Sequence, residues 1–407
     1  MGIQPRGGIM KILLILMISC SLAVGEVITD TLEFDGYSRI YHVYIPPGYE
    51  AGLPLVFDLH GYGSHGLEEM EYTGMNSVAD TANFVVVYPE ALENKWNSGI
   101  SDNPGYPTPD IDDVAFLSAL IDTVHSDYEV NTDQVYSCGF SNGGRMSFRL
   151  AAEIPGHIRA VASVSGKLTE TIANACDSSG TVPILYMHGT NDPISYYYGE
   201  QTGWYLPEDA VEFWIETNDC SVDGDTISIP NFVPSDGCTV DATIYPSYSD
   251  NADVCFLKIN GGGHTWPGGT FLLPSLGNTC FEINASELIW NFFIGRLDEY
   301  LNGIVTSIEP NEKNAMTFHL NQNYPNPFNP TTTISYDLPM QSEVILTVYD
   351  MLGREVRTLK NQEQPSGHYE IQWNGVDASD NPVSTGVYFC RLETEQYTQT
   401  IKMAYLR

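Results

Sequence analysis

Positive charge is scarce in this chain. Seventeen Lys and Arg stand against 52 Asp and Glu in 407 residues, a formal net charge of −35. Binding to nucleic acid needs clustered cations to neutralise phosphate, so that class of function is excluded. Docking on an anionic bilayer surface is excluded for the same reason. No apolar run reaches the roughly 20 residues that a membrane-spanning helix requires. The eight cysteines contain no CxxC pair, which removes the usual zinc-ribbon and dithiol redox motifs. The chain does contain 43% hydrophobic and 12% aromatic residues, enough to bury a core and to set disorder aside. Its length points to two or three folding units.

The N-terminus bears on the compartment. Lys11 leads an apolar run over residues 12–18, followed by Ser19, Cys20, Ser21, Leu22, Ala23, Val24 and Gly25. A charge, a short apolar core and small residues make residues 1–25 a secretory signal, cut before Glu26. Met10 is an alternative start. Cys20 raises a lipoprotein reading, which Met17 three places earlier weakens. The expected location is extracellular or on the cell surface. Seven cysteines remain in the mature chain, so at least one stays free or pairs between chains.

Residues 26–302 alternate β-rich runs with helical patterns, the signature of an α/β domain. Residues 27–34 and 39–45 flank Asp35-Gly36, a hairpin signal. Continuous apolar runs follow at 55–59, 84–88, 135–140, 160–164, 182–187 and 254–259. Runs without polar alternation fit strands covered on both faces of a mostly parallel sheet. Helical periodicity predicts helices at 113–128, 143–153, 207–218 and 284–301. Eight strands with an antiparallel start and helices on both faces describe an α/β-hydrolase sheet. Residues 303–316 are polar and unpatterned and read as a linker. Residues 317–407, with alternating segments such as 333–338 and 343–349, read as a small Ig-like β-sandwich.

Gly139-Phe140-Ser141-Asn142-Gly143 lies between an expected strand and an expected helix. That context lets a strained turn lift the Ser141 hydroxyl off the sheet, with a helix N-terminus behind it. A serine nucleophile needs a base and an acid, in the chain order Ser, acid, His for this architecture. His264 sits in a glycine-rich loop after a strand, and Asp192 in His188-Gly189-Thr190-Asn191-Asp192-Pro193 closes another strand. His60 and His188 also end strands and read as structural. Asp112 and Asp113 precede Ser141 and read as caps of the helix at 113–128. The oxyanion donors are expected to be the backbone N–H groups of Asn142 and of Tyr62, in the turn His60-Gly61-Tyr62-Gly63. Trp96 and Trp266 are candidate substrate walls. This chemistry needs neither metal nor cofactor.

These residues resemble a known family. The stretches 55–63 (LVFDLHGYG), Tyr88-Pro89-Glu90 with Trp96-Asn97, 112–117 (DDVAFL), 135–144 (VYSCGFSNGG) and 262–268 (GGHTWPG) are similar to secreted polyhydroxybutyrate depolymerases and their feruloyl esterase relatives. The resemblance covers about residues 27–300 and implies hydrolysis of polymeric or small carboxylic esters. It leaves the acyl group and the partner of Cys138 unassigned. In the tail, 323–333 (NYPNPFNPTTT), 348–356 (VYDMLGREV), Trp373-Asn374-Gly375, 384–388 (STGVY) and Lys402 resemble the C-terminal sorting domain of the type IX secretion system. That implies an outer-membrane secretion machinery as partner, although such tails usually end in Lys and this one ends Tyr405-Leu406-Arg407. Two alternatives remain open. A serine peptidase of the same fold would need a substrate-amine clamp or a gating domain, and neither is visible. A surface adhesion protein without activity would predict a broken set of catalytic residues.

Overall fold

The computed structural model describes residues 25–99, 111–177, 180–199, 202–248, 252–270, 273–306, 319–338, 342–351, 353–365, 367–379, 381–394 and 397–406. Residues 1–24 of the expected signal and 307–316 of the expected linker lie outside them. The chain divides into two units, Met1–Leu301 and Asn302–Arg407.

In the first unit the hairpin β1 (Glu26–Phe34) and β2 (Tyr37–Ile45) turns on Asp35 and Gly36, both at positive φ. There follow β3 (Leu55–Leu59), α1 (Gly66–Thr73), α2 (Met75–Ala82), β4 (Val85–Pro89), α3 (Asp113–Tyr128), β5 (Val135–Phe140), α4 (Asn142–Glu153), β6 (Ala160–Val164), α5 (Glu170–Asn174), β7 (Ile184–Gly189), α6 (Pro207–Thr217), β8 (Asp225–Ile229), β9 (Thr239–Tyr245), β10 (Val254–Asn260), α7 (Ala285–Phe293) and α8 (Leu297–Thr306). Ten strands form one sheet in the order β1-β2-β4-β3-β5-β6-β7-β10-β9-β8. The six from β4 to β10 run parallel, with antiparallel pairs at both edges. The apolar runs are the parallel strands: every residue of β3, β4, β5, β6 and β7 is buried. Covering an aliphatic side chain on both faces of a sheet contributes about 1.5–3 kcal/mol each. This is an α/β-hydrolase fold.

The sheet has two strands more than expected. β8 and β9 form the antiparallel edge after β10, and β8 is largely exposed, so its residues Asp225, Thr226 and Ser228 carry no apolar run. Helices α1 and α2 were also hidden, because Gly74, at φ 67°, ends one and begins the other within a short segment. The single helix expected at 284–301 is two helices, broken at Gly295 with φ 69°. α8 then continues to Thr306, into the stretch expected to be linker.

The second unit is all β. A three-stranded antiparallel sheet pairs β11 (His319–Leu320), β12 (Thr332–Leu338) and β15 (Gly367–Trp373). A four-stranded one orders β14 (Glu355–Gln364), β13 (Ser342–Asp350), β16 (Gly386–Glu393) and β17 (Thr398–Tyr405). The alternation of β12, every second residue buried, gives it one wet and one dry face. Phe328, Trp373, Tyr388 and Tyr405 are joined by ring contacts within its core.

Candidate active site

Four loops at the carboxyl ends of parallel strands carry the site. β3 delivers residues 60–63, β5 delivers Ser141, β7 delivers Asp192 and β10 delivers His264. Loops in this position are where α/β sheets build their sites.

Ser141 has φ 53° and ψ −107°, a left-handed conformation that costs a non-glycine residue about 1–3 kcal/mol. The turn is held from both sides: its N–H donates to Val164 O at 2.8 Å, and its carbonyl accepts from Arg145 N at 3.1 Å. The flanking glycines are required by contact. A Cβ on Gly143 would lie 1.8 Å from Leu59 O, and one on Gly139 2.5 Å from the same oxygen. The elbow therefore presses directly on the end of β3. Asn142 opens α4, so its N–H has no acceptor within the helix.

The Asp192 carboxylate is organised at both oxygens. Oδ1 accepts from the N–H groups of Ile194 (2.8 Å) and Ser195 (2.7 Å), and Oδ2 accepts from His264 Nδ1 at 2.7 Å. Residues 72 positions apart meet because β7 and β10 are parallel neighbours, with Gly189 opposite Ile259. Their loops are then stitched together by Thr190 N to Ile259 O, Asn191 N to Gly262 O and Gly261 N to Thr190 Oγ1, at 2.8–2.9 Å. The His264 loop also leans on residues 276–280. His264 N donates to Leu276 O, Gly263 N to Asn278 O and Gly268 N to Cys280 O. With Nδ1 committed to Asp192, the other ring nitrogen of His264 faces away. Phe140, the residue before Ser141, packs on the His264 ring at 4.8 Å.

His60 and His188 are structural, as the sequence suggests, and both are fixed as neutral tautomers. His60 Nδ1 donates to Gly61 O at 2.8 Å while Nε2 accepts from Ala91 N at 3.0 Å. His188 Nε2 donates to Ser195 O at 2.6 Å and its Nδ1 accepts from Tyr186 Oη at 2.8 Å. Burial pushes the pKa of both down, to about 4 for His188.

Two expectations are corrected. Trp96 and Trp266 are 1% and 0% exposed, so neither offers a ring face to a substrate. Trp96 instead braces the site: its Nε1 donates to His60 O at 3.1 Å, its N–H to Asn142 Oδ1 at 2.7 Å, and its carbonyl accepts from Asn142 Nδ2. Trp266 donates from N to Tyr72 Oη and from Nε1 to Ser286 Oγ, tying the His264 loop to α1 and α7. Asp113 is not a cap either. Asp112 caps α3 by accepting from Ala115 N at 2.9 Å, whereas Asp113 forms a fully buried ion pair with Arg39 at 2.8 Å.

No motif in the sequence pointed to a buried acid cluster beneath the turn at residues 60–63. Asp58 Oδ2 accepts from Thr73 Oγ1 at 2.7 Å and Oδ1 from the Cys138 thiol at 3.7 Å, which supplies Cys138 with a partner. Glu69 is 2% exposed. Desolvation raises the carboxyl pKa of Glu69 well above its usual range and that of Asp58 to about 7. Two such groups side by side share protons, because neither ion is solvated. The large exposed apolar side chains on the site loops are Tyr62 (52%), Ile194 (50%), Tyr196 (53%) and Tyr198 (66%). Among the described residues one group could hold a metal ion, Asp236, Cys280 and Glu282.

Comparison with known proteins follows this geometry. Residues 107–198 match the Dienelactone hydrolase family, a stretch that includes Ser141 and Asp192, and residues 325–397 match the FlgD Ig-like domain. "Putative esterase NocK" of Nocardia uniformis is 30% identical over 279 residues, 64% of this chain and 80% of that protein. Feruloyl esterase D of Neurospora crassa is 30% identical over 181 residues, covering 41% of this chain and 57% of the relative. The bifunctional acetylxylan esterase/xylanase XynS20E of Neocallimastix patriciarum is 31% identical over 175 residues, 42% of this chain and 24% of the relative. Among solved structures, the acetyl xylan esterase from Aspergillus awamori aligns at a TM-score of 0.46 and 16% identity, over 59% of this chain and 94% of that one. No helix among the described residues is long and apolar enough to cross a membrane. The match to NocK over most of its length places the chain: it belongs with that putative esterase among the α/β-hydrolase esterases, with feruloyl and acetylxylan esterases among its relatives.

Proposed function

We propose that this chain is an exported serine esterase acting on polymeric esters through an acyl-enzyme formed on Ser141. The observation that carries the reading is the 2.7 Å bond from His264 Nδ1 to Asp192 Oδ2, on strand-end loops beside a strained serine. His264 takes the Ser141 proton as the hydroxyl attacks the ester carbonyl and returns it to the leaving alcohol. Asp192 fixes the imidazole tautomer and stabilises its protonated form. The N–H groups of Asn142 and Tyr62 receive the developing oxyanion. Water then repeats the steps in reverse and releases the acid.

A polymeric substrate is favoured by the exposed side chains of Tyr62, Ile194, Tyr196 and Tyr198 on the site loops. Feruloylated or acetylated plant polysaccharide is the first candidate, from the named relatives, and polyhydroxybutyrate the second, from the sequence resemblance. Export rests on the signal-like residues 1–25 and on the sorting-domain motifs of residues 317–407.

The test compares wild type and Ser141→Ala on p-nitrophenyl esters, feruloylated arabinoxylan, acetylxylan, polyhydroxybutyrate film and a peptide panel. Ser141→Ala or His264→Ala should each lower kcat by about 10⁴–10⁶-fold with KM little changed, and the double variant should lose no more than either alone. Asp192→Asn should lose less, about 10⁴-fold. Full ester turnover by folded Ser141→Ala would end the proposal, and cleavage of peptides but not esters would transfer it to the peptidases.

A further inference from the structure

Two loops that sit on either side of His264 each end in a buried cysteine. Cys238, immediately before β9, and Cys280, after the turn at residues 274–276, are both 1% exposed. They are 42 positions apart by their numbers, and one carboxylate holds their backbones together: Asp236 Oδ1 accepts from Cys238 N at 2.7 Å and Oδ2 from Phe281 N at 2.8 Å. The Cys280 thiol lies within hydrogen-bonding reach of the Cys238 thiol and donates to Glu282 Oε2 at 3.1 Å. The two cysteines also touch the two ends of the His264 loop. A Cβ on Gly261 would lie 3.7 Å from Cys238 Cα, and Gly268 N donates to Cys280 O at 2.8 Å.

We propose that Cys238 and Cys280 form a disulfide in the mature enzyme, a covalent clamp around the loop that carries His264. The bond forms by thiol–disulfide exchange. One thiolate displaces a sulfur of an incoming disulfide, either glutathione disulfide or the active-site disulfide of an oxidoreductase. The second thiolate then attacks the mixed disulfide. Two thiols lose two protons and two electrons, and the incoming disulfide leaves as two thiols. The neighbouring Cys238 side chain, burial and Glu282 together disfavour a thiolate on Cys280 once the loops have closed, so the exchange belongs to folding and the finished bond is shielded from reductants. The oxidising compartment this needs rests on the export proposed above. Asp236, Cys280 and Glu282 could instead hold a thiophilic divalent cation. The disulfide is favoured because both Asp236 oxygens and Glu282 Oε1 already accept backbone N–H groups.

The experiment uses the purified full chain, equilibrated in a glutathione redox buffer, alkylated without reduction, digested and mapped by mass spectrometry. The expected result is a peptide pair linking Cys238 to Cys280. Reduction should lower the temperature of half-inactivation by roughly 5–10 °C, and the Cys238→Ala/Cys280→Ala variant should show no such response to reductant. Recovery of both cysteines as free alkylated thiols under oxidant overturns the proposal. So does stoichiometric zinc binding that blocks their oxidation. A linked pair in buffer that is missing from enzyme collected from the native host's medium would also overturn the proposal and leave the export reading intact, whereas enzyme found only in the cell lysate would contradict the export reading instead.

Discussion

Asp113 and Arg39 show how burial alters the meaning of a residue. Read from sequence, Asp113 is a helix cap worth about 1 kcal/mol. In the fold its carboxylate pairs with Arg39 Nη2 at 2.8 Å and accepts from Asn97 N at 2.7 Å, while the guanidinium lies 3.7 Å over the Phe116 ring. Both side chains are essentially without solvent. Removing one charge leaves the other buried and unpaired, which costs about 3–5 kcal/mol. Asp113→Asn should therefore destabilise by that amount in urea unfolding, and Arg39→Met in the same chain should restore part of it. A loss near 1 kcal/mol with no recovery would return Asp113 to a capping role. Asp112, the cap observed, should cost only about 1 kcal/mol on replacement by Ala.

At the scale of elements, the acid cluster joins the end of β3 to β5 and α1, directly behind the turn at residues 60–63. Burial lifts the Asp58 carboxyl to a pKa of about 7, so its folded value lies above its unfolded one. The sign follows from proton uptake. Below about pH 4 both states are protonated and the cluster costs nothing. As pH rises toward 7 the unfolded chain ionises first, and stability falls by on the order of 3 kcal/mol. Asp58→Asn should flatten that decline between pH 4 and pH 7 in thermal melts, and an unchanged slope would place the titration elsewhere. Nothing in the sequence pointed to this cluster, because Asp58 interrupts an apolar strand and Glu69 lies in a helix with no clear period. The parallel strands were legible, since burial on both faces imposes nearly continuous apolar runs such as residues 84–88. β8 was not, because an edge strand facing water keeps its polar residues. Ser141 and His264 stood out through the glycines their loops require. The contact of Asp192 with His264 could be inferred only from chain order, since strand register, not spacing, brings them together.

For the whole molecule, the question is what each unit contributes. All of Ser141, Asn142, Asp192, His264 and the turn at residues 60–63 lie in the unit Met1–Leu301, and so do all ten strands of the large sheet. The second unit has its own core, built on Leu346, Val348, Trp373 and Cys390. The proposed function divides the labour, with chemistry in the first unit and export in the second. The cut that tests it has to respect α8, which runs to Thr306, with Leu301 and Ile304 both buried. Ending the chain at residue 302 would halve that helix, whereas ending it after Thr306 keeps it whole. The chain truncated after Thr306 should keep kcat/KM on p-nitrophenyl acetate within about threefold of the full chain, less than 1 kcal/mol of transition-state stabilisation. In the native host the same truncation should leave the enzyme inside the cell envelope, as read by activity in medium against lysate. A folded truncated enzyme that loses most of its kcat/KM would mean the second unit takes part in catalysis. Undiminished activity in the medium would deny it the role in export.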